Sequence, residues 1–542
     1  MTSNLRWQPI GFLLIAVAFL MGCTENSQVE RVKQEGFIYC GQGSPRFFNP
    51  QLVDNDIATE ALSPQLFDAL LQFDSETMVP SPHLAQSWSV SEDGREYTFE
   101  LRRDVHFHHT PWFTPTRTMN AQDVVFSFKR IIDSQHPYHF VNSASYPWFA
   151  AINFSSTLED VIALSDDKVL FKLSKADNTF LSNLSTVYPV IHSAEYANQL
   201  AALDEKHIID THPVGTGSFK LKEFKHHDYI RLTRNENYWK SPAKMQQVVF
   251  DVSSRGTGSL SKLLSNQCDV LYSPIMSQIP VIREHTELEL VKVPAMNISF
   301  IALQTSNPKL NHPDIRKALS LAINRENIID TVYFGNGEAA YSLLPSGSWA
   351  SNRDTIAVRF DPNYASALLA KHLDGQPLNL TLWVPASELS YHPSPRKVAE
   401  LVQSDFADVG VTLSVVFEDR VQRNHRHSSQ QYDMVLSSWN ADTPDPDNFF
   451  RPLLSCDANS AGLNVSTWCN PDFDFLLDLA KETTEARYRK NLYYQAQVIV
   501  NDEVPLIPLA HGVQFQAKHY SIEGLRVSPF NTESFENVYR EY

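Results

Sequence analysis

No run of basic residues longer than two occurs in this 542-residue chain, whose 45 lysines and arginines are outnumbered by 62 aspartates and glutamates. Neutralising a phosphate backbone takes a clustered basic face, so the formal charge of −17 argues against nucleic acid and leaves cationic ligands open. Also missing are HExxH, G-x-S-x-G and CxxC, which removes the usual signatures of a zinc hydrolase, a nucleophile elbow and a paired-cysteine metal or redox site. The stretch "RGTGSLSKL" lacks the Gly-Lys-Ser/Thr ending of a phosphate loop, and Gly256 and Gly258 read as turn residues. No nucleophile and base can be placed together. The expectation is a protein that is not an enzyme, with no cofactor and no metal; the histidine groups His106, His108 and His109, "HH" from 226, and His425 and His427 read as surface groups rather than a metal or haem site.

Long apolar runs are also scarce: after the first residues nothing is apolar for long enough to span a bilayer. What stands at the start is "MTSNLRWQPIGFLLIAVAFLMGC", a short region with Arg6, an apolar stretch from Ile10 to Met21, and Gly22 before Cys23. That order reads as an export signal over residues 1–22. Leu20, Met21, Gly22 and Cys23 resemble a bacterial lipobox, which implies a lipid anchor on Cys23 in the periplasm. Five cysteines fit this reading, because lipid on Cys23 leaves an even four: Cys40, Cys268, Cys456 and Cys469. They can pair in three ways. Cys456 and Cys469 bracket the short "DANSAGLNVSTW" and are the local choice, which leaves Cys40 with Cys268.

At 542 residues the chain is too long for one core and should hold two to four structural units. Helix and strand patterns mix without a repeat, as in α/β lobes. "SVSEDGREYTFELRRDVHF" reads as a hairpin turning at Asp93 and Gly94, with Tyr97, Phe99 and Leu101 alternating after it. "NAQDVVFSFKRIID" reads as a helix capped by Asn120. "HPDIRKALSLAINRENIID" reads as one amphipathic helix with Pro313 near its first turn, and a further helix runs from near Pro395 to Gly410 before the strand "VTLSVVF".

The stretch with most chemistry is "SWNADTPDPDNFF", residues 438–450. It lacks the glycine and closing glutamate of an EF-hand loop, and Pro444 and Pro446 stiffen it, so a calcium site fits poorly. Asp445 and Asp447 read as a solvated turn. Asp442, just past the strand-like "YDMVLSSW", instead stands where a carboxylate at a strand end would face a cleft and await a cation.

Taken in order, "YCGQGSPRFFNPQ", "LAQSWSVSEDGREYTFELRRDVHF", "PTRTMNAQDVVFSFKRI", "PVGTGSFKL", "IRKALSLAINRENII" and "SWNADTPDPDNFF" resemble the dipeptide- and oligopeptide-binding proteins of ABC importers, over nearly all of the chain after the signal. "WFTPTRTMNA", "GTGSLSKLLSNQCDV", "FFRPLLSC" and "VYREY" are most similar to members serving antimicrobial-peptide uptake systems. The resemblance implies an α/β periplasmic binding-protein fold of type II, cluster C, with two lobes, hinge strands and an extra subdomain. It divides the chain into a tether at 23–34, lobe I at 35–67, 216–293 and 514–542, the extra subdomain at 68–215, and lobe II at 294–513. The crossing strands would lie near Met296 to Ile301 and near Pro505 to Leu509. It also implies the pairs Cys40 with Cys268 and Cys456 with Cys469. Its ligand is a peptide, cationic antimicrobial peptides included, its partners are the permease subunits in the inner membrane, and the chain is expected to be a monomer. Asp442 falls where dipeptide binders hold the ligand's ammonium, Trp439 would wall the pocket, and Tyr146 in "SYPWF" lies at a contact position of the other lobe. One departure stands out: Leu389 occupies the place of the arginine that clamps a dipeptide's carboxylate, and Arg396 reads as a solvated helix residue instead of a substitute. The resemblance therefore points to peptides longer than two residues, with a haem- or polyamine-binding receptor on the same fold as the alternative.

Overall fold

The computed structural model describes residues 32–41, 43–53, 56–142, 145–252, 256–352, 359–386, 392–418, 432–460, 463–530 and 532–541. Cys23, Leu389, His425 and His427 lie outside the described residues.

The architecture is organised by one long strand, Leu506–His519, at the middle of a twelve-stranded mixed sheet. Its first part pairs antiparallel with Asn297–Leu303 and its second part with Leu288–Pro294. Those two partners are consecutive in the chain, so Ala295 and Met296 on one side and His511 and Gly512 on the other mark the crossing between the two halves of the sheet. Asn297 secures that crossing: its side-chain oxygen accepts from the Gly512 N–H at 2.7 Å, and its carbonyl lies 2.7 Å from His511 Nδ1.

The sequence explains why Asn297–Leu303 is buried along its whole length. "NISFIAL" is a nearly continuous apolar run, as a strand covered on both faces requires, and alternate side chains leave opposite faces. Ile301 and Leu303 enter one core with the helices Pro313–Ala322, Pro362–Leu373 and Pro395–Asp408, while Ile298, Phe300 and Ala302 enter a second with Phe449, Phe450 and Tyr493. Beyond the crossing, Gly36–Cys40 and Gln247–Asp251 continue the sheet over a separate core of Phe37, Tyr39, Phe219 and Phe250. A smaller unit has its own aromatic core, where the four-stranded sheet Ala85–Val90, Glu96–Leu101, Lys168–Leu173 and Leu158–Ser165 packs on the helix Ala121–Ile132 through Phe99, Phe128 and Phe171.

Local signals account for several of these elements. The hairpin turns at Gly94, whose φ of +69° suits a residue without Cβ, and Tyr97, Phe99 and Leu101 are buried on one face as their alternation requires. Asn120 caps its helix by accepting from the Gln122 N–H, and Asp123 reaches back to the Asn120 N–H. Arg117 then holds the buried Asp123 through both terminal guanidinium nitrogens, at 2.7 and 2.8 Å. The reading of "HPDIRKALSLAINRENIID" as one helix needs correction. Two helices, Pro313–Ala322 and Arg325–Val332, meet at Asn324, whose side chain accepts from the Asn327 N–H and starts the second helix afresh. Gly258 likewise lies within the helix Thr257–Leu264 and not in a turn, while Gly256, at φ +107°, precedes it. Cys40 is joined to Cys268 and Cys456 to Cys469, with Cα separations of 6.2 and 4.6 Å.

Candidate functional site

The strand Met434–Asn440 runs antiparallel to Asn297–Leu303 and ends two residues before Asp442; the chain then passes Pro444 and Pro446 into the helix Asp447–Leu454. Asn448 in the first turn of that helix fixes the connection. Its side-chain oxygen accepts from the Asp442 N–H at 3.1 Å, and its carbonyl accepts from the Trp439 indole at 2.8 Å. Trp439 is thereby held half-buried, with its ring against the core behind it.

The Asp442 carboxylate faces the small four-stranded unit. Trp148, only 1% exposed and part of that unit's core, donates its Nε1–H to Asp442 Oδ2 at 2.9 Å. The indole is held in place by stacking on Tyr188, 4.7 Å between ring centres, whose hydroxyl donates to Glu60 at 2.9 Å. Two further contacts cross the same seam: Lys481 meets Asp177 at 3.0 Å, and Asn178 donates to the carbonyls of Lys481 and Thr483. Trp148, Thr179 and Asn183 on one side and Trp439, Asp442 and Thr443 on the other wall a hollow in this seam. Asp442 also lines a neighbouring hollow with Glu60, Tyr188 and Phe530. The carboxylate therefore stands where two hollows meet and two parts of the chain touch.

The other two aspartates of the stretch overturn the solvated-turn reading. Asp445 and Asp447 are buried, Asp445 against Arg489 at 2.7 Å and Asp447 against Arg451 at 2.9 Å, with Arg451 reaching Asp478 at 3.0 Å. Burial pushes the Asp445 carboxyl up, against the pull of Arg489. Carboxylates enter an interior when guanidinium partners accompany them, and Arg489 comes from the distant helix Ala486–Glu503.

Tyr146 is buried in the core of the four-stranded unit, and its hydroxyl donates to the His139 carbonyl at 3.0 Å. The residue that reaches Asp442 is Trp148, two positions on and missed by sequence reasoning although it stands in the same "SYPWF". Arg396 is exposed and lies over the Phe417 ring at 3.8 Å, as a solvated helix residue would. The "HFHH" histidines do not converge: His108 is fully buried with Nε2 at 2.9 Å from the Gly217 carbonyl and is held by burial at a pKa of about 4, while His109 is exposed and pairs with Thr114. Among the described residues, the three-ligand group is a different one, His312, Asp314 and His372.

Crossing strands that join two halves of one sheet are the arrangement of a hinge, and the fold is that of the type II periplasmic binding proteins, α/β with a large mixed sheet. The chain belongs to the bacterial extracellular solute-binding proteins of family 5, whose middle-region description matches residues 79–461; it is a family of solute-binding proteins, not enzymes. It is 42% identical to the peptide transport periplasmic protein SapA of Salmonella typhimurium, over 98% of this chain and 97% of that one. It is 33% identical to the heme-binding protein A of Haemophilus influenzae, over 95% and 94%. The crystal structure of a dipeptide-binding protein from a Pseudoalteromonas species in complex with Met-Leu superposes with a TM-score of 0.82 at 38% identity, covering 94% of this chain and all of that one.

Proposed function

We propose that this chain is the substrate-binding component of an ABC importer, capturing peptides in the periplasm and delivering them to the membrane permease. The observation that carries the proposal is the Asp442 carboxylate, placed at the seam and already engaged by an N–H from the opposite wall. A peptide's α-ammonium is a stronger donor of the same kind, because a charge-assisted hydrogen bond in a partly dry cleft exceeds a neutral one. Trp439 and Trp148 act as apolar walls to the anchor, while Tyr146, buried in the same core as Trp148, gives up to Trp148 the contact position the resemblance assigned it. Residues 35–67, 216–293 and 514–542 act as lobe I, 68–215 as the extra subdomain and 294–513 as lobe II, a division supported by the separate cores and the crossing at Met296 and Gly512. The net charge of −17 favours cationic cargo, antimicrobial peptides among it. Export through residues 1–22, a lipid on Cys23 and a monomeric state complete the proposal.

The haem-binding relative keeps a second cargo in view. Mass spectrometry of material released by denaturing the purified protein separates the two: peptides are expected, and a stoichiometric porphyrin with no peptide would overturn the proposal. Intact mass of the membrane-recovered protein should show acyl chains on Cys23; a soluble form beginning elsewhere would remove the anchor.

A further inference from the structure

Away from the seam, His312, Asp314 and His372 bring one ligand atom each to within 4.8 Å of one another. His312 precedes the helix Pro313–Ala322 and Asp314 is in its first turn, while His372 is in the last turn of Pro362–Leu373. The two helices are locked together underneath by Ile315, Ala318 and Leu319 on one and Ala365, Leu368 and Leu369 on the other, so the three side chains stand on rigid supports. The imidazole rings lie 4.0 Å apart, and His372 Nε2 is 2.7 Å from Asp314 Oδ2.

We infer that these residues form a surface site for a first-row transition-metal dication, with zinc(II) as its test ion. Two imidazoles and one carboxylate are a borderline-soft donor set that suits zinc, and calcium or magnesium would call for oxygen ligands throughout. Three protein ligands leave a fourth tetrahedral position to water. Ligand atoms around zinc sit roughly 3.4 Å apart given metal–ligand bonds of about 2.1 Å, so the His372 to Asp314 contact widens slightly on binding while the 4.8 Å limit contracts. Both are small rotations of exposed or half-exposed side chains.

Three local features set the strength of the site. The ion would lie between the N-terminus of one helix and the C-terminus of the other, whose partial charges oppose and largely offset each other. Lys371, 3.6 Å from Asp314 and exposed, opposes a cation but can swing into solvent. His312 Nδ1 accepts the Asp314 N–H as a helix cap, and metal on either ring nitrogen gives that bond up, at Nδ1 by taking the lone pair and at Nε2 by moving the ring proton to Nδ1. Asparagine at position 312 retains the cap without being a zinc ligand of comparable strength, which separates the metal role from a purely structural one.

Calorimetric titration of the untagged mature chain with zinc chloride tests the inference. The wild type should take up one equivalent whose affinity falls about tenfold or more in His312→Asn and in His372→Gln, and rises in Lys371→Met. The His312→Asn protein should keep the melting temperature of the metal-free wild type and lose the rise that zinc gives it. If zinc binds equally well to the variant carrying both histidine changes, or if the wild type takes up none at millimolar zinc, the site does not exist.

Discussion

Asp442→Asn separates charge from shape at the proposed anchor. Asparagine fills the same space and keeps an oxygen for the Trp148 indole, so the 2.9 Å contact across the seam can persist while the negative charge disappears. A ligand ammonium seated there then faces a neutral acceptor. Truncating one partner of a buried charge pair costs 2–5 kcal/mol or more, and Asp442 is only half-buried, so the lower end applies: about 2–3 kcal/mol, or roughly 30- to 150-fold in Kd. Acetylating the N-terminus of the peptide removes the same interaction from the other side. Calorimetry of one tripeptide, free and acetylated, against wild type and variant therefore closes a double-mutant cycle, and the two losses should overlap almost completely. Fully additive losses, or no loss from either change, would show that the carboxylate does not grip an amine and that the peptide is held elsewhere.

Trp148→Phe keeps the ring but removes the indole N–H, and a hydrogen bond to a charged group is worth about 1.5–3 kcal/mol; peptide affinity should fall roughly 12- to 150-fold in the same assay, whereas unchanged affinity would mean that the seam contact plays no part in closure. Asp445→Asn leaves the buried Arg489 guanidinium without its carboxylate, so stability should drop by about 3 kcal/mol, seen as a lowered denaturation midpoint, and an unchanged midpoint would refute the ion-pair account. Glu533 is buried and burial raises its pKa to about 7 from an ordinary 4.5, so the folded chain holds a proton that the unfolded chain has released across that interval. Its contribution is full below pH 4.5 and is lost as pH rises to about 7, on the order of 3 kcal/mol; Glu533→Gln should flatten that part of the stability-versus-pH curve, and a curve of unchanged slope would contradict the shift.

What the sequence showed and what it hid divide by the range of the forces involved. The Asn120 cap and the turn at Gly94 are decided by atoms a few residues apart, so a short window of sequence contains all that determines them. The break at Asn324 is partly local, yet the apolar period runs on through Ile323, Ile328 and Ile329 and conceals it; the Asn324 side chain accepts from the Asn327 N–H to start the second helix, while its own N–H, which would have continued the first, is donated to the distant Asp405 at 2.9 Å. Asp445 and Asp447 look like turn residues because Asp and Pro favour turns, but their burial is set by guanidinium groups, and Arg489 lies far along the chain. In "SYPWF" the segment facing Asp442 was legible and the side chain was not. Tyr146 stands at the residue before the short helix Pro147–Ala151 with its ring in the core, and the first turn of that helix carries Trp148 to the seam.

The register of the sheet ties Asp442 to the crossing. Asn440 pairs with Asn297, and Trp439 with Ile298, on the strand that leaves the crossing at Met296. Ala441, the residue before Asp442, donates its N–H to the Met296 carbonyl at 2.8 Å, and Asn297 in turn holds Gly512 and His511 on the other crossing strand. Asp442 is thus fixed within a few hydrogen bonds of the crossing between the two halves of the sheet, on the side carried by Asn297–Leu303. Trp148 belongs to the separate core of the four-stranded unit, so the contact joins two separately packed parts of the chain, and parting them would break it. On the proposed function, a ligand held at Asp442 that also touches Trp148 would gain contacts in a closed state that an open one lacks, and that difference in affinity would let it bias closure.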